Sequence, residues 1–135
     1  AGSMAFPETG IGIYPGLGGM LRFALHAGPE LAKYYVFTGA TVSVKDAFEL
    51  GIITEITEPA DIDQAVEKLI PKGRRDKYKK RALPARFKET ALLCSPGNIS
   101  KLLSGKQPEG VNGELAAKTL KIVGFKAPLA LKISN

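Results

Sequence analysis

One carboxylate, Glu8, stands just ahead of a loop that carries five glycines: Phe6-Pro7-Glu8-Thr9-Gly10-Ile11-Gly12-Ile13-Tyr14-Pro15-Gly16-Leu17-Gly18-Gly19. An acid at the mouth of such a loop can be held in a tight, partly dry pocket beside exposed backbone N–H groups. Pro7 fixes the backbone before the acid, and the apolar Phe6, Ile11 and Ile13 flank it. Burial among them would move the carboxyl toward the range useful for proton transfer. A plainer role for Glu8 is a charge or cap near the following helix. The loop has two readings as well. It is a sharp strand-to-helix turn needing positive φ, or it opens a helix at Gly18-Gly19 whose free N–H groups face a site.

Other chemistries are poorly served. Gly10-Ile11-Gly12 has Pro15 at the sixth position, and Gly16-Leu17-Gly18-Gly19 also misses the G-x-G-x-x-G fingerprint. No Lys-Ser/Thr pair follows, so the loop does not read as a nucleotide cradle. Cys94 is the only cysteine and His26 the only histidine. An internal disulfide is therefore excluded, and a reducing, cytoplasmic setting is expected. Cys94 reads as a packed small side chain rather than a reactive thiol, and His26 as a structural residue with no triad motif around it. The clustered ligands that a zinc or iron site needs are missing, so no metal is expected.

The formal charge of +6 leaves room for an anionic partner. Lys72, Arg74, Arg75, Lys77, Lys79, Lys80 and Arg81 form a basic run broken by Gly73 and Asp76. A solvated linker is the plain account, and attraction of a partner's phosphate groups the functional one. Nucleic acid is not the expected partner, because Tyr78 is the only aromatic inside the run. No stretch approaches the roughly 18 consecutive apolar residues of a membrane span, so no membrane partner is expected, and no signal segment opens the chain.

The elements that must position Glu8 follow from spacing. At 135 residues with 44% apolar content, the chain is the size of one ordinary domain. Ala1 to Met4 is given no weight in the fold, and Ala5-Phe6 reads as the end of a strand. Met20, Leu21, Phe23, Ala24 and Leu25 predict a helix over 18–27, halted by Gly28. Pro29 opens a second helix over 29–37. Ser43 reads as the N-cap of a helix over 44–50, with Gly51 as its stop. Ile52 to Thr57, rich in β-branched residues, reads as a strand. Further helices are predicted over 60–70, 84–93, 98–103 and 113–123, with a last one from 127 or 128 onward. Two or three short strands cannot make a stable sheet alone, so the chain reads as a piece of a larger fold.

The motif from Phe6 to Gly19, with Ala32-Lys33, Thr38-Gly39 and Ala47-Phe48-Glu49-Leu50-Gly51-Ile52-Ile53, resembles the enoyl-CoA hydratase/isomerase (crotonase) superfamily. Lys126-Ala127-Pro128-Leu129-Ala130-Leu131-Lys132 is similar to the family's later K-x-P-x-A-L segment. The resemblance implies an α/β crotonase (ClpP/crotonase-like) fold, of which this chain is a helix-rich C-terminal portion. Residues 1–57 are then the end of the core with the glutamate loop, 58–125 a helical insert, and 126–135 the start of a C-terminal helix. It further implies trimers or pairs of trimers and an acyl-CoA thioester substrate, with no bound cofactor. Glu8 falls on the family's acid/base glutamate, and Gly16, Leu17 and Gly18 fall on the substrate-binding loop.

The family's oxyanion hole and the hydratase's second glutamate belong to an upstream half, so the 135 residues alone are expected to be inactive. The long insert and Ser95-Pro96-x-Asn98-Ile99 resemble the 3-hydroxyisobutyryl-CoA hydrolase branch. That branch carries Asp where this chain has Gly16, and Pro15-Gly16-Leu17-Gly18 takes the hydratase/isomerase form. A parent fused to a 3-hydroxyacyl-CoA dehydrogenase fits the insert too. A non-catalytic crotonase-like interaction module is the reading of a different class.

Overall fold

The computed structural model describes residues 2–72 and 82–135. Most of the basic run therefore lies outside the described residues, and only Lys72 of it falls within them. The described residues form eight α-helices and two very short strands, a helix-rich architecture. Strand β1 is Ser3–Met4 and strand β2 is Val42–Ser43. They pair antiparallel, Ser3 opposite Ser43 and Met4 opposite Val42. The helices are α1 (Gly19–Ala27), α2 (Pro29–Thr38), α3 (Val44–Glu49), α4 (Ile62–Leu69), α5 (Ala85–Leu92), α6 (Ile99–Leu103), α7 (Gly113–Gly124) and α8 (Pro128–Ser134).

Helix α2 sits at the centre. Leu31, Ala32, Tyr35, Val36, Phe37 and Thr38 are all buried, and a helix covered on so many sides belongs in a core rather than at its edge. It packs against α1, α5, α7 and α8, and against the turn that carries Glu8. Gly28 separates α1 from α2 at φ +86°, where a side chain would be strained, and Pro29 then takes the first helical position. Phe23 of α1 stands edge-on to Phe6 at 5.7 Å and tilted against Tyr35 at 5.3 Å, so one aromatic row links the start of the chain to α2.

Local chemistry explains the other ends. Ser43 caps α3 by accepting from the Asp46 N–H, while Asp46 accepts from the Ser43 N–H in return. Arg86 of α5 then reaches both Asp46 (2.6 Å) and Glu49 (2.8 Å), tying α5 to α3. Asn98 is buried, donates to the Leu92 and Glu109 carbonyls and accepts from the Glu109 N–H. Asn112 caps α7 through the Glu114 and Leu115 N–H groups.

Helix positions agree with the sequence expectations to within a residue or two at each end. The strands do not. Ala5-Phe6 is not a strand; the two residues before Ala5, given no weight above, pair instead with Val42–Ser43. Ile52–Thr57 is not a strand either. The Ile52 and Ile53 N–H groups both donate to the Ala47 carbonyl (2.8 and 3.3 Å) and curl the chain back onto the end of α3. A β-branched run does not extend when its N–H groups are taken by the helix before it.

Candidate active site

Glu8 opens a one-turn 3₁₀ helix, Glu8–Gly10, entered through Pro7. The Gly10 N–H donates to the Pro7 carbonyl at 2.9 Å, and the Ile11 and Ile13 N–H groups both donate to the Glu8 carbonyl at 3.1 Å. The acid's backbone is thereby held on both sides. Its side chain is half-buried, and Oε2 is fully buried with no hydrogen-bond partner among the described residues. Buried polar atoms in folded proteins are almost always matched, and among the described residues the Ser134 hydroxyl is the one other buried side-chain group left so.

The turn is fixed from below and from the side. Thr9, 0% exposed, donates its hydroxyl to the Val36 carbonyl of α2 at 2.9 Å. The Ala127 N–H, just before α8, donates to the Thr9 carbonyl at 3.1 Å. Gly39 caps α2 at φ +68°. Glycine is favoured there by conformation, and the acid's turn packs against it in ordinary contact, the Phe6 carbonyl oxygen lying 3.5 Å from where a Cβ would stand, with Lys126 Nζ at 3.2 Å. The Lys126 ammonium beside this cap also suits the negative end of α2. Gly19 does a similar service at the other side, where a Cβ would come within 3.2 Å of the Phe6 ring.

The loop beyond the acid is placed differently. Ile11 and Ile13, expected beside the carboxyl, are 73% and 53% exposed, so within this chain they do not wall it. Phe6 is buried as expected and Pro15 is buried with it. Gly16 is exposed with nothing within 4 Å of where its Cβ would stand. Leu17 is 98% exposed at φ +54°, the one non-glycine residue at positive φ among those described. Gly18 is the left-handed N-cap of α1, with no side-chain cap and no acid in the first turn. The structure thus brings the start of α1 against the Phe6 ring, two residues before Glu8, and leaves Gly16 and Leu17 facing outward.

A cavity of about 400 Å³ lies elsewhere, between the start of α2 and the Cys94–Ile99 segment, lined by Pro29, Glu30, Lys33, Cys94, Pro96, Ile99 and Asn135. It contains none of the site residues expected from sequence. Burial pushes the Cys94 thiol up to about 12, with Lys33 lowering and Glu30 raising it. A thiol in that state is no nucleophile, and Cys94 packs as a small core side chain. Among the described residues no three His, Cys, Asp or Glu side chains stand together as metal ligands, and no helix is long and apolar enough to cross a membrane.

Sequence reasoning did not single out Thr9 or Lys126. A lone threonine carries no periodic signal, and Lys126 entered only through its likeness to a family segment.

With this geometry in place, the comparisons agree on a class. Residues 2–134 match the family described as Enoyl-CoA hydratase/isomerase, and the chain belongs to that family. Crotonyl-CoA hydratase of Syntrophomonas wolfei is 33% identical over 63 residues, 47% of this chain and 24% of that protein. The fatty acid oxidation complex subunit alpha of Idiomarina loihiensis is 24% identical over 77% of this chain and 15% of that protein. The mitochondrial 3-hydroxyisobutyryl-CoA hydrolase of Xenopus laevis is 27% identical over 96% of this chain and 38% of that protein. The matched region spans 24–26% of the first curated relatives' length. No solved structure matches the chain.

Proposed function

We propose that Glu8 is the acid/base of a reaction on an acyl-CoA thioester, either hydration of a 2-enoyl-CoA or migration of its double bond. The observation that carries this is the Glu8 Oε2 atom, buried and unmatched on a turn anchored to two helices. In hydration the water oxygen bonds to the β-carbon while the carboxyl delivers a proton to the α-carbon, and the proton that the water gives up restores the carboxyl. In the isomerase variant the same group takes a proton from one carbon and returns it to another. The Pro15-Gly16-Leu17-Gly18 form and the hydratases among the relatives support this pair of reactions. Gly16, Leu17 and Gly18 are proposed to line the acyl pocket, together with a preceding region of stacked ββα units that supplies the oxyanion-hole amides. The 135 residues alone are then inactive, since loss of such donors costs about two to three orders of magnitude in rate. Assembly as trimers or pairs of trimers belongs to the same proposal, and the outward Leu21 and Leu25 supply apolar surface for it.

A hydrolase is the second reading. It is favoured by the frog hydrolase, whose match runs through the 58–125 region at 96% of the chain. Free thiol separates the two. The native protein carrying this chain is mixed with a 2-enoyl-CoA and, separately, a 3-hydroxyacyl-CoA. Hydration gives a product heavier by one water with no free thiol, isomerisation gives equal mass, and hydrolysis releases coenzyme A. Absence of all three from the native protein would refute both readings.

A further inference from the structure

We infer that Thr9 is the positioning residue for Glu8, a role that rests on the reading of Glu8 as acid/base and adds what holds that acid in place. Helix α2 ends at Thr38, and the last four carbonyls of a helix have no partner inside it. Tyr35 recovers one from the Gly39 N–H at 2.9 Å. The Val36 carbonyl lies in the core, out of reach of water, and takes its donor from Thr9 Oγ1. The Thr9 carbonyl is committed in the opposite direction, to the Ala127 N–H at the entrance of α8. The residue next to the acid is therefore stapled to two different helices through two different groups. The Glu8 carbonyl is itself occupied by Ile11 and Ile13. The acid's carbonyl and the residue after it are thus both held, and the side-chain torsions remain to aim the carboxyl.

Neither a plain core residue nor a plain cap would do this. Valine would match Thr9 in shape but put a methyl group against the Val36 carbonyl, leaving that oxygen buried and unmatched. Serine would keep the hydroxyl and lose only a methyl. The contrast separates positioning from packing, because the two substitutions affect the two roles in opposite order.

The experiment compares Thr9→Val, Thr9→Ser and Ala127→Pro in the native protein that carries this chain. Ala127 has φ −64°, which proline adopts, so that variant removes the N–H bonded to Thr9 and sets a ring methylene against the Thr9 carbonyl while leaving the local φ unchanged. Thr9→Val should lower kcat by about ten- to a hundredfold with KM within about twofold, the size expected for a displaced reacting group. Ala127→Pro should lower kcat by about fivefold, and Thr9→Ser should stay within about threefold of the parent. Hydrogen exchange gives a readout independent of turnover. Thr9→Val should speed exchange over residues 7–13 and 126–128 while α1, α5 and α7 keep their protection. The inference is overturned if Thr9→Val retains parental kcat and exchange, if Thr9→Ser is as impaired as Thr9→Val, or if protection falls evenly through α2 and its neighbours. Should Thr9→Val not fold, Ala127→Pro with unchanged exchange over 7–13 overturns it equally. A parent protein that turns over no acyl thioester removes the proposed function alone, and the exchange pattern then decides the role of Thr9.

Discussion

The turn Glu8–Gly10 and the loop Ile11–Gly18 are neighbours in sequence and both carry glycine, yet they are held in opposite ways. The turn is bonded to α2 and α8 and set against the Gly39 cap. The loop buries Pro15 but presents Ile11, Ile13, Tyr14 and Leu17 outward. The chain thus fixes the turn of the proposed acid with its own core and leaves most of the following loop exposed. Outward apolar residues also recur at four-residue spacing, at Leu17, Leu21 and Leu25 and at Phe125, Leu129 and Ile133. Large exposed apolar areas mark surfaces that meet another partner.

The contrast can be broken most severely at its centre. Glu8→Gln in the native protein should cut turnover by about a thousandfold while acyl-CoA binding changes little, because positioned proton transfer contributes about 10²–10⁴. Steady-state kinetics beside an equilibrium binding measurement checks this, and surviving turnover would remove Glu8 from the chemistry.

Gly39→Ala comes next. It forces a side chain into φ +68°, and should destabilise by about 1–2 kcal/mol in a urea unfolding series. The same substitution at Gly16, which has open space and no positive φ, should cost within about 0.5 kcal/mol. Equal costs at the two positions would erase the distinction between turn and loop.

Leu17→Gly should act in the other direction. Leu17 holds φ +54° without burying its side chain, and relief of that strain should outweigh the added unfolded-state entropy by about 0.5 kcal/mol. Chemical denaturation checks the sign. A stability gain accompanied by weaker acyl-CoA binding would place the strain in the service of the pocket.

The smallest effect is expected far from the acid. Burial raises the Asp46 carboxyl, but hydrogen bonds from Ser43 and Arg86 outweigh it and leave the group below the usual carboxylate range. A depressed folded-state value stabilises the protein above the unfolded value and is lost as pH falls through the folded one. Asp46→Asn should therefore cost about 0.5 kcal/mol at neutral pH and nothing at strongly acid pH, as read from melting across that range.

How much of this could be read from residues alone differs by element. The helices were legible because periodicity, Pro29, Ser43, Gly28 and Gly51 are local signals that act within a turn of the residues they govern. Glu8 was legible as a candidate for the same reason, as one acid beside a glycine loop. The strands were not. Ser3–Met4 is too short to carry a pattern, and its partner lies about forty residues away at Val42–Ser43. Ile52–Thr57 has strand composition but loses its N–H groups to the end of α3. Burial around the acid was half legible: Phe6 goes in, while Ile11 and Ile13 stay out.

By itself, then, the order of amino acids determined where helices start and stop, which acid is the candidate for chemistry, and which family's motif surrounds it. Those are properties of neighbours along the chain, set by φ preferences and by hydrogen bonds spanning a few residues. Only the tertiary structure decided what holds Glu8, because the Val36 carbonyl and the Ala127 N–H reach Thr9 from 27 and 118 residues away. Such bonds form only when a buried helix end is left wanting a donor, and nothing local to Thr9 announces that need.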